Sequence, residues 1–246
     1  MKTEILFGIH AVSEALKAGR RIFSELYVSK PSARVEEVAA YSESFHIPVK
    51  KIQASQLQSL SGTDMHQGIA AKVSLYPLTD LSDMLDAGIK PQFLLLLDSV
   101  SDTRNLGALI RTALCAGVNG VIIPKDRAAS PTPGVSKASA GALEHILLAQ
   151  VTNMVSTINE LKKNGIWIAG MERSANQSVF ESDLTCPLGI VIGGEEKGIR
   201  PLVRKQCDFL MSVPQKGAVN SLNASVAGAV AMYEVLRQRG RTTELS

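Results

Sequence analysis

From residue 92 onward, short unbroken apolar runs alternate with longer stretches in which apolar residues recur every three or four positions. FLLLLDSV, at residues 93–100, has the continuous apolar character of a strand buried on both faces. NLGALIRTALCAG follows with helical spacing: Leu106, Leu109, Ile110, Ala113 and Leu114 form a stripe, and Gly117 ends it. GVIIP, HILLAQV, GIWIAG, LGIVIGG and DFLMSVP predict further strands, NMVSTINELKKNG predicts a helix, and a long helix closes the chain. In that last helix Val226, Val230, Tyr233 and Leu236 recur at helical spacing. Repeated strand–helix units predict an α/β fold with an open parallel sheet flanked by helices.

Residues 1–76 have a different texture. IHAVSEALKAG places Ile9, Val12, Ala15 and Leu16 on one helical face, with Gly19 suited to the helix end. ELYVSK, IPVKKI and GIAAKVSLY read as strands, and RVEEVAAYSESF and ASQLQSL as helices, making a small αβ layer. Between the two regions, residues 77–91 begin at a proline and mix polar with apolar positions, the texture of a linker holding a short amphipathic helix. The expected organisation is therefore a small domain over 1–76, a linker over 77–91 and a larger domain over 92–246.

Composition narrows the function classes. The chain has 246 residues, 45% hydrophobic content and a net charge of +3. Residues 1–76 carry nine Lys and Arg against seven Asp and Glu, so neither region concentrates positive charge. Charge permits a polyanionic partner without demanding one. Cys115, Cys186 and Cys207 form no C-x-x-C pair, as expected of free thiols in a reducing cytosol. Four scattered histidines give no metal-ligand spacing. The longest apolar run is far too short to span a bilayer, and the first residues do not read as a signal peptide. No metal, no membrane and a cytoplasmic location are expected.

Ligands of open parallel sheets collect where strands end and loops depart. Three such loops stand out. In LDSVSDTRNLGALIR, Asp98, Asp102 and Asn105 crowd the turn and Arg111 lies almost two turns into the helix; the plain reading makes Asn105 an N-cap and Arg111 a solvated residue. In VIGGEEKGIRP, paired glycines after a buried strand allow close backbone approach, and Glu195 follows them. Gly193 and Gly198 have P-loop spacing, but Ile199 and Arg200 stand where Lys and Ser/Thr are required, and no strand ends in G-x-G-x-x-G. In VPQKGAVNSLNASVAG, the residues Asn220, Ser221, Asn223 and Ser225 exceed what capping one helix needs.

Taken in order, NLGALIRTA, IGGExxGI and VPxxGxxxSLNASVA resemble the three signature motifs of the SpoU (TrmH-type) RNA ribose 2′-O-methyltransferases, a resemblance covering residues 92–246. GIHAVSEALKAG and HQGIAA make residues 1–76 similar to the family's small substrate-binding domain, of the ribosomal-protein L30e-like type. The resemblance implies a trefoil knot at the C-terminal end of the sheet (the SPOUT fold), S-adenosylmethionine as methyl donor, an RNA partner and a homodimer. Knots are too rare for composition or periodicity to propose one. By position, the family's motif side chains fall on Asn105, Arg111, Glu195, Ser221 and Asn223, and its cofactor contacts near Gly193, Val213 and Leu222. Gln215 stands where the family usually has Met, and Glu196 where Gly is frequent.

Within the family, this combination points to the members that methylate a guanosine of 23S ribosomal RNA. Transfer RNA as substrate is one alternative, and a catalytically idle RNA-binding module another. Methyl transfer to a hydroxyl needs alignment, stabilisation of a developing alkoxide and a proton acceptor. A guanidinium keeps its proton and is a poor base, so Arg111 reads better as a two-bond clamp on the phosphate beside the target ribose. Phosphate, water and Glu195 remain alternatives for the proton.

Overall fold

The computed structural model describes residues 2–86, 92–217 and 221–243. Residues 87–91 of the expected linker and Asn220 lie outside the described residues. The chain divides into two compact units: Met1–Pro77 with Ser130–His145, and Leu78–Ala129 with Ile146–Ser246.

The first unit holds β1 (Thr3–Phe7), α1 (Ile9–Ala18), β2 (Phe23–Val28), α2 (Ala33–Glu43), β3 (Val49–Lys51), α3 (Ala54–Ser61) and β4 (Ile69–Ser74). Its sheet runs β1-β4-β2-β3, with β2 and β3 parallel and the other neighbours antiparallel. The face of α1 forms as its spacing predicts: Val12, Ala15 and Leu16 are buried, and Gly19 ends the helix at φ 63°. Strand β1 is absent from the pattern reading, since Glu4 breaks its apolar run, yet it pairs along its whole length with β4.

The second unit holds α4 (Leu81–Asp86), β5 (Phe93–Asp98), α5 (Thr103–Cys115) and β6 (Gly120–Pro124). The next helix, α6 (Pro133–Ala138), belongs to the first unit with the 3-10 turn Ala142–Glu144. The second unit resumes with β7 (Leu147–Val151), α7 (Met154–Lys163), β8 (Trp167–Met171), β9 (Gln177–Ser178), β10 (Leu188–Gly193), α8 (Pro201–Arg204), β11 (Phe209–Ser212) and α9 (Ala224–Thr243). Its sheet runs β7-β6-β5-β10-β8-β11-β9, every recorded pair parallel. Central β5 and β10 are buried at every position, as their apolar runs require.

Three expectations change in detail. Helix α4 falls in the stretch read as a linker, but Met84 is 2% exposed and packs in the second unit's core, where Gly120 leaves room for its sulfur. Residues 130–145, read as part of the larger domain, pack with the first unit. The reason is a buried charge: Arg21 donates through Nε to Glu144 at 2.6 Å and through another nitrogen to Glu4, and neither Arg21 nor Glu144 reaches solvent. Burial works against the Arg21 charge, but its bonds to Glu144 and Glu4 outweigh that and hold the guanidinium more firmly protonated than usual. Helix α9, finally, turns its small residues inward. Gly228 sits against Ile192 and Leu109, and Ala231, Met232 and Val235 are buried, while Val226, Tyr233 and Leu236 face outward.

Candidate active site

The site is built where β5, β10 and β11 end. Strand β5 finishes in Asp98, a fully buried carboxylate that must have a partner to remain there. It takes one from the second loop: Asp98 accepts from the Arg200 backbone at 2.8 Å and from Arg200 Nε at 2.7 Å, while its own carbonyl accepts from the Gly194 amide at 2.9 Å. This ion pair fastens the first loop to the second. An acid ending a wholly apolar strand is the sequence signal that a cation must arrive from elsewhere, and Arg200, which breaks the P-loop pattern, is that cation.

The glycines serve the same closure. A Cβ on Gly193 would lie 2.0 Å from the carbonyl carbon of Gly198, and one on Gly194 would lie 2.4 Å from the Ser99 carbonyl oxygen. The close approach they allow is thus between strands of backbone, where the sequence suggested approach to a ligand.

Helix α5 starts earlier than its apolar stripe suggests. Asp102 is its N-cap, accepting from the Arg104 amide at 2.7 Å. Asn105 is therefore not the cap but a residue of the first turn, and its side chain is free for other work. It donates through Nδ2 to Glu195 Oε1 at 2.5 Å and accepts through Oδ1 from Asn223 Nδ2 at 3.1 Å. Asn223 in turn accepts through Oδ1 from the Ser225 amide at 2.8 Å and the Ser225 hydroxyl at 2.6 Å.

The direction of this chain follows from its first link. A backbone amide only donates, so Asn223 must face it with oxygen and turn its NH2 to Asn105. Asn105 must then meet Asn223 with oxygen and Glu195 with NH2. One side chain from each of the three loops is thereby joined in a single oriented relay ending on a carboxylate. Of the polar residues around the start of α9, Asn223 and Ser225 make the cap and the relay, and Ser221 lines the adjoining cavity.

That cavity, about 420 Å³, lies between the second and third loops. Gly193, Val213 and Leu222 line it, together with Glu195, Ser221 and the two departures from the family pattern, Glu196 and Gln215. Ile192 and Ala227 give it apolar wall, and Arg173 and Lys197 add positive charge. Its volume is that of a small-molecule or cofactor site. An apolar wall, exposed amide-bearing loops and a few polar side chains fit the adenosine and amino-acid parts of S-adenosylmethionine.

Arg111 stands apart. It is exposed on α5 and neither lines the cavity nor joins the relay. Three residues on, Leu114 is also exposed, so the two share one outward face. Among the described residues there is no cluster of three or more His, Cys, Asp or Glu that could hold a metal ion, and no helix long and apolar enough to cross a membrane.

The chain belongs to the SpoU rRNA methylase family, whose sequence model matches residues 92–233; that for RNA 2′-O ribose methyltransferase substrate binding matches residues 5–79. It is 41% identical to the 23S rRNA (guanosine-2′-O-)-methyltransferase RlmB of Pectobacterium atrosepticum, over 97% of this chain and 99% of the relative. It is 37% identical to RlmB of Ralstonia nicotianae, over 97% of each. Among solved structures, the SpoU methyltransferase AviRb of Streptomyces viridochromogenes in complex with AdoMet has a TM-score of 0.84 at 24% identity, over 97% of this chain and 91% of that one, a likeness of fold.

Proposed function

We propose that this protein methylates the 2′-hydroxyl of a guanosine in 23S ribosomal RNA, with S-adenosylmethionine as donor. The observation that carries the site is the relay Asn223–Asn105–Glu195, which joins all three motif loops beside a cavity of cofactor size. Full-length similarity to the RlmB relatives supports the ribosomal substrate. In this reading residues 1–76 select the RNA, residues 92–246 carry the transfer, and the enzyme works in the cytoplasm.

Gly193, Val213 and Leu222 would hold the cofactor, largely through backbone, with Ser221 at its polar side. When bound, S-adenosylmethionine supplies an electrophilic methyl group to an attacking oxygen. The protein's part is alignment and charge. Asn105 fixes Glu195 through Oε1, which leaves the carboxylate able to accept from a ribose hydroxyl with its other oxygen. Arg111 clamps the phosphate beside that ribose and stabilises the developing negative charge.

A homodimer belongs to the same proposal. Val226, Tyr233 and Leu236 expose an apolar face on α9, which packs on α5, the helix bearing exposed Arg111 and Leu114. Isologous pairing through this surface would cover it and bring Arg111 to an interface. The family's knot is part of the reading too, supported by the adjacency of the three loops.

The test is methyl transfer to ribosomal RNA from cells lacking the gene, beside transfer RNA from the same cells. Label on a 2′-O-methylguanosine of 23S RNA is expected. Label confined to transfer RNA would replace the substrate, and absence of S-adenosylmethionine binding would leave only an RNA-binding module.

A further inference from the structure

In the first unit, β2 and β3 are neighbours running in the same direction, so their outgoing loops part at one edge of the sheet. Between those loops lies a second cleft, of about 340 Å³. Val28 and Ile52 line it, both half-buried and joined by the Ile52 amide donating to the Val28 carbonyl at 2.9 Å; Val28 packs toward the core with Leu26 and Val38, and Ile52 toward Tyr27 and Leu57 on the other face of the sheet.

Gln53 and Gln56 form a reciprocal capping box at the start of α3, with the Gln53 amide donating to Gln56 Oε1 at 2.9 Å. The capping box takes one lone pair of each carboxamide oxygen and leaves each side chain its NH2 donor for a ligand. Ser29 adds a buried Oγ with no hydrogen-bond partner among the described residues, a group that costs stability unless something fills its valence. Lys51 contributes an exposed ammonium, and no carboxylate lines the cleft.

From this geometry we infer that the cleft receives one unpaired nucleotide of the RNA substrate, its base against Ile52 and its acceptor atoms on Ser29, Gln53 and Gln56. Sequence-specific recognition of RNA works largely through unpaired bases splayed out and hydrogen-bonded on their edges. Lys51 would meet the flanking phosphate. A peptide strand is a poorer match, since it brings no phosphate to Lys51. The inference rests on RNA being the substrate, and it gives residues 1–76 a defined role in choosing it.

Gln56→Glu is the discriminating variant. It keeps the oxygen that the Gln53 amide needs, at a helix start where negative charge is tolerated, and removes the donor. Gln58→Glu puts the same charge on the same helix at an exposed residue that does not line the cleft. With full-length protein, Gln56→Glu should raise KM for ribosomal RNA by about tenfold, the loss expected of one donor replaced by a repelling acceptor. Its kcat and S-adenosylmethionine affinity should stay at parent values, and Gln58→Glu should match the parent throughout. Titration with guanosine and uridine 5′-monophosphates, followed by NMR of the glutamine side-chain amides, reads the cleft without any methyl transfer. Failure of the parent to methylate RNA would sink the functional reading while this titration still judged the cleft. Equal losses in the two variants, no loss in either, or nucleotide titrations that leave the Gln53 and Gln56 signals unmoved would overturn the inference.

Discussion

Asn223 performs two tasks with one amide, and a single atom separates them. Its Oδ1 caps α9 while its Nδ2 orients Asn105. Asn223→Asp keeps the capping oxygen and sets an acceptor against the Asn105 oxygen. Thermal stability should therefore hold, while single-turnover methyl transfer falls roughly 10- to 100-fold, the effect of ~1–3 kcal/mol from one mispaired polar contact. A parallel loss of melting temperature would mean that Asn223 serves only the helix.

Arg111 tests the other half of the proposed chemistry. Arg111→Ala should cost ~2.7–4 kcal/mol in transfer, roughly a hundred- to thousandfold, with cofactor affinity kept. Arg111→Lys should recover little, because an ammonium lacks the planar fork. Calorimetry with S-adenosylmethionine beside single-turnover rates decides, and a parent rate in either variant sinks the role. Among the thiols, burial and then the Asp208 carboxylate push Cys207 up to about 11, whereas Cys115 is exposed. At pH 8 only about one Cys207 in a thousand is thiolate. Iodoacetamide should modify Cys115 first, and the folded-state contribution of Cys207, present below the ordinary value of 9.0, should fade as pH rises toward 11. Equal labelling of the two at pH 8 would contradict that burial.

Helix α9 shows how one element can be right in kind and reversed in facing. Its periodic Val226, Tyr233 and Leu236 mark a helix, but Gly228 and Ala231 make the closer fit to α5 and β10. Gly228 and Ala231 permit the tighter approach, so the face they share with Met232 and Val235 goes inside and the face with Val226, Tyr233 and Leu236 is left for another surface. Tyr233→Asp should then convert the proposed dimer to a monomer while leaving the fold intact, read by sedimentation and circular dichroism. A parent protein already monomeric at working concentration would remove the dimer from the proposal.

The first unit is completed by chain that arrives from far along the sequence. Ser130–His145 brings Glu144 to Arg21, and both side chains are buried. Arg21→Met strands the Glu144 carboxylate without solvent and should cost ~3–5 kcal/mol in denaturant unfolding; Glu144→Gln should cost less, since Arg21 keeps Glu4. Arg21→Met with Glu144→Leu should restore most of that, since two apolar groups need no partner. Single variants as stable as the parent would show the pair to be unimportant. By the same logic a fragment of residues 1–76 should fold less stably on its own, lacking Glu144 and leaving Arg21 with Glu4 as its carboxylate partner. The division of labour between the units is better tested by point variants in the whole chain.

Local pattern determined the kinds of element here, because burial on both faces of β5 and β10 demands unbroken apolar runs and burial on one face of α1 or α5 demands a helical stripe. It also determined the family, whose three motifs lie in order on Asn105, Glu195 and Asn223. Tertiary structure decided what no window of neighbouring residues contains. Asp98 and Arg200 stand 102 positions apart, Arg21 and Glu144 stand 123 apart, and Asn105 meets Asn223 across 118. Each is a polar group that must find a partner, and the sequence states the need at one position while only the folded chain brings the answer from another.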